Sequence, residues 1–464
     1  MNRCLCSLGV FLFGLAASGA VCAATQADLV LKDGNIVTLE AAQPQAHALA
    51  VKGGRILFLG SDAEVAPYIG KTTRVLDLKG MTAVPGFIEG HGHFIELGRS
   101  LTQLDLTQAK TWDDIVALVA AAAKQAKPGT WILGHGWHQE KWDHAPEPNV
   151  EGLPLHASLD AVSPNNPVVL THASSHGIYV NALTLKLAGI DKTTPDPQGG
   201  QIVRDAAGEP VGFLRDNAMY LVQKVYAASM AKRTPAAARA EFREEVRLAA
   251  QDAVSKGITG FVDQGEGFAV LDELKRLAGE GRLPLRLYAL VDPSRADSES
   301  VGLPGADHYR RFDTLQQLER FLPVHRVVGY ADDRFTVRGV GEVLSDGALG
   351  THTAWFLKPY DDLPDSTGVS VTAPADIRRI ADIAVKDDYQ LSVHAIGDRA
   401  NREVLDLMQA EFAIHPAAKA LRWRIEHAQH LDPADIPRFG RLGVIASMQS
   451  IHECSDAPYV VKRL

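Results

Sequence analysis

The stretch AVPGFIEGHGHFIELG, Ala83–Gly98, runs an apolar segment into His91 and His93 with a single glycine between them. On a β-strand, residues i and i+2 leave the same face. Two imidazoles on one face can hold one metal ion, or can merely line a turn. The choice rests on what the rest of the chain places beside them.

Downstream of Pro85, apolar β-runs alternate with amphipathic helices, the pattern of a parallel α/β architecture. One helix is clear: Thr234 as N-cap, Pro235 at the first helical position, then an apolar face of Phe242, Val246, Ala249, Ala250 and Ala253, ended by Gly257. Strand candidates are ITGFVDQG, LPLRLYALV, TVRGVGEVLSDG, YQLSVHAIGD, LRWRIEHAQ and GVIASMQS. With the run into His91 they make seven. In a (β/α)8 TIM-type barrel all strand C-termini meet on one rim, where active sites sit. His394 ends one of these strands and His427 another, so His91, His93, His394 and His427 are expected to converge. Glu342 sits inside an apolar run, where an unpaired carboxylate costs several kcal/mol. Four imidazoles and a bridging carboxylate suit one or two divalent ions, Zn²⁺ by ligand type. Such an ion lowers the pKa of bound water to about 7 and polarises a carbonyl.

Upstream of Pro85, ADLVLKDGNIVTLE, AHALAVKGGRILFLG and TTRVLDLKGMTAVPG are short β-runs with Asp-Gly, Gly-Gly and Lys-Gly turns. Residues 27–84 therefore read as part of a β-sandwich, and 85–464 as the barrel. Residues 129–230, rich in Trp, His, Pro and Gly, read as an insertion after the first barrel strand, a lid or a wall of the site. Within it, His176 and Asn181 are candidate substrate contacts. His135, His138 and His144 in HGWHQEKWDH fit a packed loop better than a second metal site. Asp346 reads as a turn residue, and Cys454 as inert.

The first residues, MNRCLCSLGVFLFGLAASGAVCAATQAD, carry Arg3, a short apolar core and small residues to Ala24. This is the form of an export signal over 1–24, and its core is too short for a stable membrane span. Cys4, Cys6 and Cys22 fall within it, which leaves Cys454 alone and no intramolecular disulfide. The whole chain is 464 residues, 46% hydrophobic, with a formal charge of −9. That charge argues against nucleic acid or an anionic membrane as a partner.

Taken together, VPGFIEGHGH, LTHASSHGIYVNALTLKLAGI, GFLRDNAM, SDGALGTHTAWFLKPY, VHAIGDRA and RIEHAQHLDPADIPRFGRLGVIASMQ resemble the metal-dependent amidohydrolase superfamily. The likeness is to its YtcJ-like branch (amidohydrolase family 3), which includes N-substituted formamide deformylases. It implies His91 and His93 on one metal, His394 and His427 on the other, and a strand-four group bridging them. Glu342 stands where that branch often has lysine, Glu89 where an aspartate is usual, and His352 where an arginine is common. The family also carries a strand-eight aspartate as general base. Asp456 in CSDAPYV follows strand seven too closely to be that residue, so the catalytic base is unassigned and the chain reads as C-terminally shortened, with strand eight missing. The expectation is an exported metal-dependent hydrolase of non-peptide C–N bonds in a small amide or formamide. The rivals are an inactive remnant and a non-catalytic periplasmic binding protein. Oligomeric state stays open, a homo-oligomer included.

Overall fold

A computed structural model describes residues 25–292, Leu303 and 313–464. The expected export signal lies outside the described residues. The chain divides into two compact units, one ending at Pro85 and one spanning Gly86–Leu464.

In the first unit, a four-stranded sheet is ordered Arg55–Gly60, Ala48–Lys52, Leu29–Lys32, Arg74–Asp77, and a three-stranded one Gln45–Ala46, Asn35–Val37, Thr82–Ala83. The Gly-Gly turn forms as the sequence suggests. Gly53 and Gly54 both take positive φ, +54° and +74°, joining antiparallel strands in which Lys52 faces Arg55. Glycine adopts such positive-φ conformations at no steric cost. Val30, Ala48, Ala50 and Val65 form a small core.

The second unit is a mixed α/β body around a nearly closed parallel barrel sheet. Seven of its eight described strands are parallel and lie side by side in chain order: β1 Phe87–Gly92, β2 Ile258–Glu266, β3 Arg286–Val291, β4 Phe335–Leu344, β5 Gln390–Ala395, β6 Arg424–His427 and β7 Ile445–Ser447; the short strand Val327–Gly329 pairs antiparallel with β4. Each of the seven stretches singled out in the sequence contributes one strand. Registers pair Gly92 with Asp263, Leu344 with His394, and His394 with Glu426, so these C-terminal ends share a rim. Helices Pro235–Ser255, Phe268–Gly279, Pro374–Lys386 and Asp398–Ile414 bury Phe242, Leu274, Ile380 and Leu405 in the same core as Leu287, Val337, Val393 and Ile425. Thr234 caps the first of them by accepting from Ala237 N–H.

Between β1 and β2 runs a separate six-stranded mixed sheet, ordered Gly200–Arg204, Pro210–Asp216, Gly177–Val180, Val168–His172, Ile132–Trp137, Leu104–Asp105. It begins at Leu104, earlier than the expected residue 129. Helix Trp112–Gln125 resembles a barrel helix by its amphipathic pattern. However, its buried Trp112, Ile115 and Val119 pack with Trp137, Tyr179 and Phe213 of this second sheet. Periodicity shows that a helix has an apolar face, not which sheet receives it. Among the described residues no helix is long and apolar enough to cross a membrane.

One irregularity positions the site. The β4–β5 register slips between Val340 and Val343, a bulge at Gly341 and Glu342. Gly341 has φ +147°, and any side chain there would strike the Ser392 carbonyl, with Ser392 Cβ 2.8 Å away. Gly341→Ala is therefore expected to destabilise the fold by about 2 kcal/mol or more. Gly440→Ala, in helix Ile436–Leu442 with open space around it, should be neutral or stabilising by about 0.5–1 kcal/mol. Paired denaturant titrations compare the two.

Candidate metal centre

Glu342 is buried, and the four histidines meet on it in two pairs. His91 Nε2 and His93 Nε2 both lie 3.8 Å from Oε2. His394 Nδ1 and His427 Nε2 both lie 2.9 Å from Oε1. The first pair follows from strand alternation, with His93 at the start of helix Phe94–Ser100. The second pair comes from the ends of adjacent strands, β5 and β6. Donor atoms of His91, Glu342 and His427 lie within 4.8 Å of one another.

The outer nitrogens explain what these rings present inward. His91 Nδ1 donates to Glu426 Oε2 at 2.7 Å. Glu426 is fully buried and also accepts from Arg424 Nε and Ser392 Oγ, each at 2.6 Å. Burial pushes the Glu426 carboxyl up, but the hydrogen bond from His91 and the Arg424 guanidinium outweigh it and hold the pKa low. His394 Nε2 donates to the Gly347 carbonyl at 3.1 Å. His427 Nδ1 donates to Gln449 Oε1 at 2.6 Å, and Gln449 Nε2 in turn donates to the Ser447 carbonyl. Each acceptor fixes an N–H on the outer nitrogen, so a ring without a second proton turns its lone pair toward a carboxylate. Acceptors facing acceptors in a buried site need a shared cation. A nitrogen-rich donor set with its outer N–H groups tied to carboxylate, amide and carbonyl is the arrangement that metal-binding histidines use. The residues fit a divalent ion.

Glu342 answers to the same field. Burial alone would raise its pKa, but His91, His427 and His394 in their protonated form hold it well below the usual carboxylate range. Asp346, read as a turn residue, is buried and accepts the N–H groups of Ile396, Gly397 and Trp355, tying the β4 loop to the end of β5. Glu89 Oε1 accepts from His91 N–H at 3.1 Å.

The two candidate substrate contacts part company. His176 sits beside the cluster, its ring centroid 4.9 Å from that of His394. Asn181 is fully buried; its side chain caps helix Ala182–Ala188 and donates to the carbonyls of Ser163 and Asn166. That corrects the expectation of a substrate contact, because no part of this amide is left to meet a ligand. His135, His138 and His144 do not gather. His138 is buried against His172 and Tyr459, and burial pushes its pKa down to about 3. His135 lines a cavity of about 370 Å³ that reaches His93, and His144 is exposed. Asp456 accepts from Gln429 and Tyr459, as befits a packed loop residue. His452 packs on His427, with its pKa lowered by burial to about 4. Cys454 is exposed and unpaired.

Sequence reading missed Glu426, Gln449 and Asp216. Glu426 precedes His427, and alternation would send the two to opposite faces. His427 and Ala428, at φ +70° and +44°, break that alternation at the strand end.

A parallel barrel sheet that brings four histidines onto one buried carboxylate at its C-terminal rim fits the class of metal-dependent hydrolases. Residues 74–464 match the Amidohydrolase family. The chain is 30% identical over 437 residues to YtcJ of Bacillus subtilis (strain 168), covering 93% of this chain and 74% of that one. It is 28% identical over 423 residues to the N-substituted formamide deformylase of Arthrobacter pascens, covering 90% and 72%. Its fold is similar to that of an uncharacterized metal-dependent hydrolase from Pyrococcus horikoshii, with TM-score 0.65, 24% identity and coverage of 94% and 77%. The chain belongs to the amidohydrolase family, in its YtcJ-like branch.

Glu426→Gln, which leaves all four histidines in place, should lower metal affinity about 10- to 100-fold. Glu342→Ala should remove stoichiometric metal altogether. Competition of each protein with a chromophoric chelator reads both effects.

Proposed function

We propose that this protein hydrolyses non-peptide C–N bonds of small amides or formamides, using one or two zinc ions held by His91, His93, Glu342, His394 and His427. The observation that carries the reading is the division of Glu342, one oxygen to each histidine pair. A carboxylate so divided can bridge two ions. When bound, the metal supplies Lewis acidity toward the carbonyl and an activated water. The chain's own residues hold that chemistry in place. Glu426, Gly347 and Gln449 keep the imidazoles in one tautomer and orientation. The 370 Å³ cavity beside His93, where Leu133, Val169 and Met219 alternate with polar Gln103, Thr171 and Gln223, offers a place for a substrate substituent. The deformylase of Arthrobacter pascens, a relative over most of this chain, supports an amide or formamide as the bond class. Export belongs to the same reading and rests on the leader sequence alone. A pure binding protein accounts less well for four imidazoles gathered on one buried carboxylate.

The experiment is a panel of N-formyl and N-acyl amines assayed before chelation, after it, and after Zn²⁺ is restored. Turnover should vanish and return with the metal. Stoichiometric metal with no hydrolysis of any C–N substrate would remove the amidase reading, whereas turnover indifferent to the chelator would remove the metal from it.

A further inference from the structure

His176 and Asp216 form a pair that neither the fold nor the metal centre requires. They sit on neighbouring strands of the six-stranded sheet between β1 and β2, where Gly177 faces Arg215. Asp216 N–H donates to the His176 carbonyl at 3.1 Å. Between the side chains, His176 Nδ1 lies 2.7 Å from Asp216 Oδ1. Asp216 takes φ +45°, uncommon outside glycine, and its side chain is fully buried. Its second oxygen, Oδ2, has no hydrogen-bond partner among the described residues. A strained, buried carboxyl is an expensive way to hold one ring, and such strain collects at functional sites.

The ring is held where it can meet a ligand. Its centroid is 4.9 Å from that of His394, a member of the metal centre. The side chain is 13% exposed, and Nε2 is neither bonded nor sealed off among the described residues. Thr171, His172 and Ser175, just before it in the chain, line the cavity that reaches His93. Because the carboxyl accepts the Nδ1 hydrogen, Nε2 of the neutral ring presents a lone pair. It is an acceptor beside the candidate metal centre.

We propose that His176, positioned by Asp216, accepts a hydrogen bond from the N–H of the substrate amide and so selects primary and secondary amides over tertiary ones. The proposal rests on the amide-hydrolase reading above. A tertiary amide carries no N–H, so binding it would strip water from Nε2 and give nothing in return. An unpaired buried acceptor of this kind corresponds to a discrimination of about 10- to 100-fold.

The test compares kcat/KM for N-butylformamide and N-butyl-N-methylformamide in the wild-type holoenzyme, Asp216→Asn and His176→Phe. Wild type should favour the N–H substrate by at least about tenfold. In Asp216→Asn the carboxamide can donate to Nδ1, moving the ring hydrogen to Nε2, and the ratio should fall toward unity. His176→Phe keeps a ring against His394, removes the acceptor, and should do the same, so it carries the test if the asparagine variant does not fold. A merely structural role would lower both substrates together and leave the ratio alone. Histidine ¹⁵N NMR gives a readout free of catalysis: hydrogen on Nδ1 of His176 in wild type, and on Nε2 in Asp216→Asn. A wild-type ratio near one overturns the proposal, and so does a preference that survives both substitutions, which would be steric. If neither formamide is turned over, the amide-hydrolase reading is decided separately, by the wider panel of N-formyl and N-acyl amines. Calorimetric binding of the same two compounds then still decides the role of His176.

Discussion

The buried carboxylate of Glu342 sets the terms for the rest of the barrel mouth. Placed in an apolar strand, it needs a counter-charge worth several kcal/mol. Four imidazoles surround it, yet three of them have their outer nitrogen bound to an acceptor. The arrangement balances only with positive charge at its centre. Protons could supply that charge in the free protein, but the clamps on the outer nitrogens favour a ligand that takes lone pairs. A divalent ion satisfies the rings and the carboxylate together.

Delivering Glu342 to that point takes several local departures from regular structure. The Gly341 bulge turns strand β4 at the residue where its side chain has to enter the barrel. Asp346 then gathers the backbone N–H groups of Trp355, Ile396 and Gly397, joining the β4 loop to the end of the strand that bears His394. On the far side of the ring, Arg424 reaches the Gly90 carbonyl and the Ser447 hydroxyl while holding Glu426. Strands β1, β6 and β7 are thereby linked through one guanidinium.

What the sequence shows of this depends on whether the information is local. The seven strands were legible because each is an apolar run bounded by turn residues. The HxH pair was legible because alternation is a property of the strand itself. The roles of His394 and His427 needed the further inference that strand ends converge. Glu426 was hidden by the same alternation rule that exposed His91, since positive φ at His427 turns two consecutive side chains inward. Asn181 misled because an asparagine near a histidine looks like a ligand contact, whereas an asparagine three residues before Thr184 is also a helix cap. The start of the intervening sheet was missed because Leu104–Asp105 pairs with residues some thirty positions away, at Gly134 and His135. No window of sequence contains that pairing.

The same distinction explains why the intervening sheet matters to the centre. It is joined to the barrel mouth at specific polar points rather than by a broad shared core. Gln139 Nε2 donates to the Gly350 carbonyl at 2.9 Å, and the buried Arg463 pairs with Glu140 at 2.9 Å and with Asp362 at 2.6 Å. Gly347 completes the set, because its carbonyl receives His394 while a Cβ at that position would come within 2.8 Å of Asp216 Oδ1. One glycine therefore borders both the ring that faces Glu342 and the carboxyl that holds His176. Close approach without a side chain leaves room for the second sheet to bring its histidine to the rim. The carboxyl that holds His176 and the carbonyl that receives His394 thus meet at Gly347, through backbone rather than through any shared side chain.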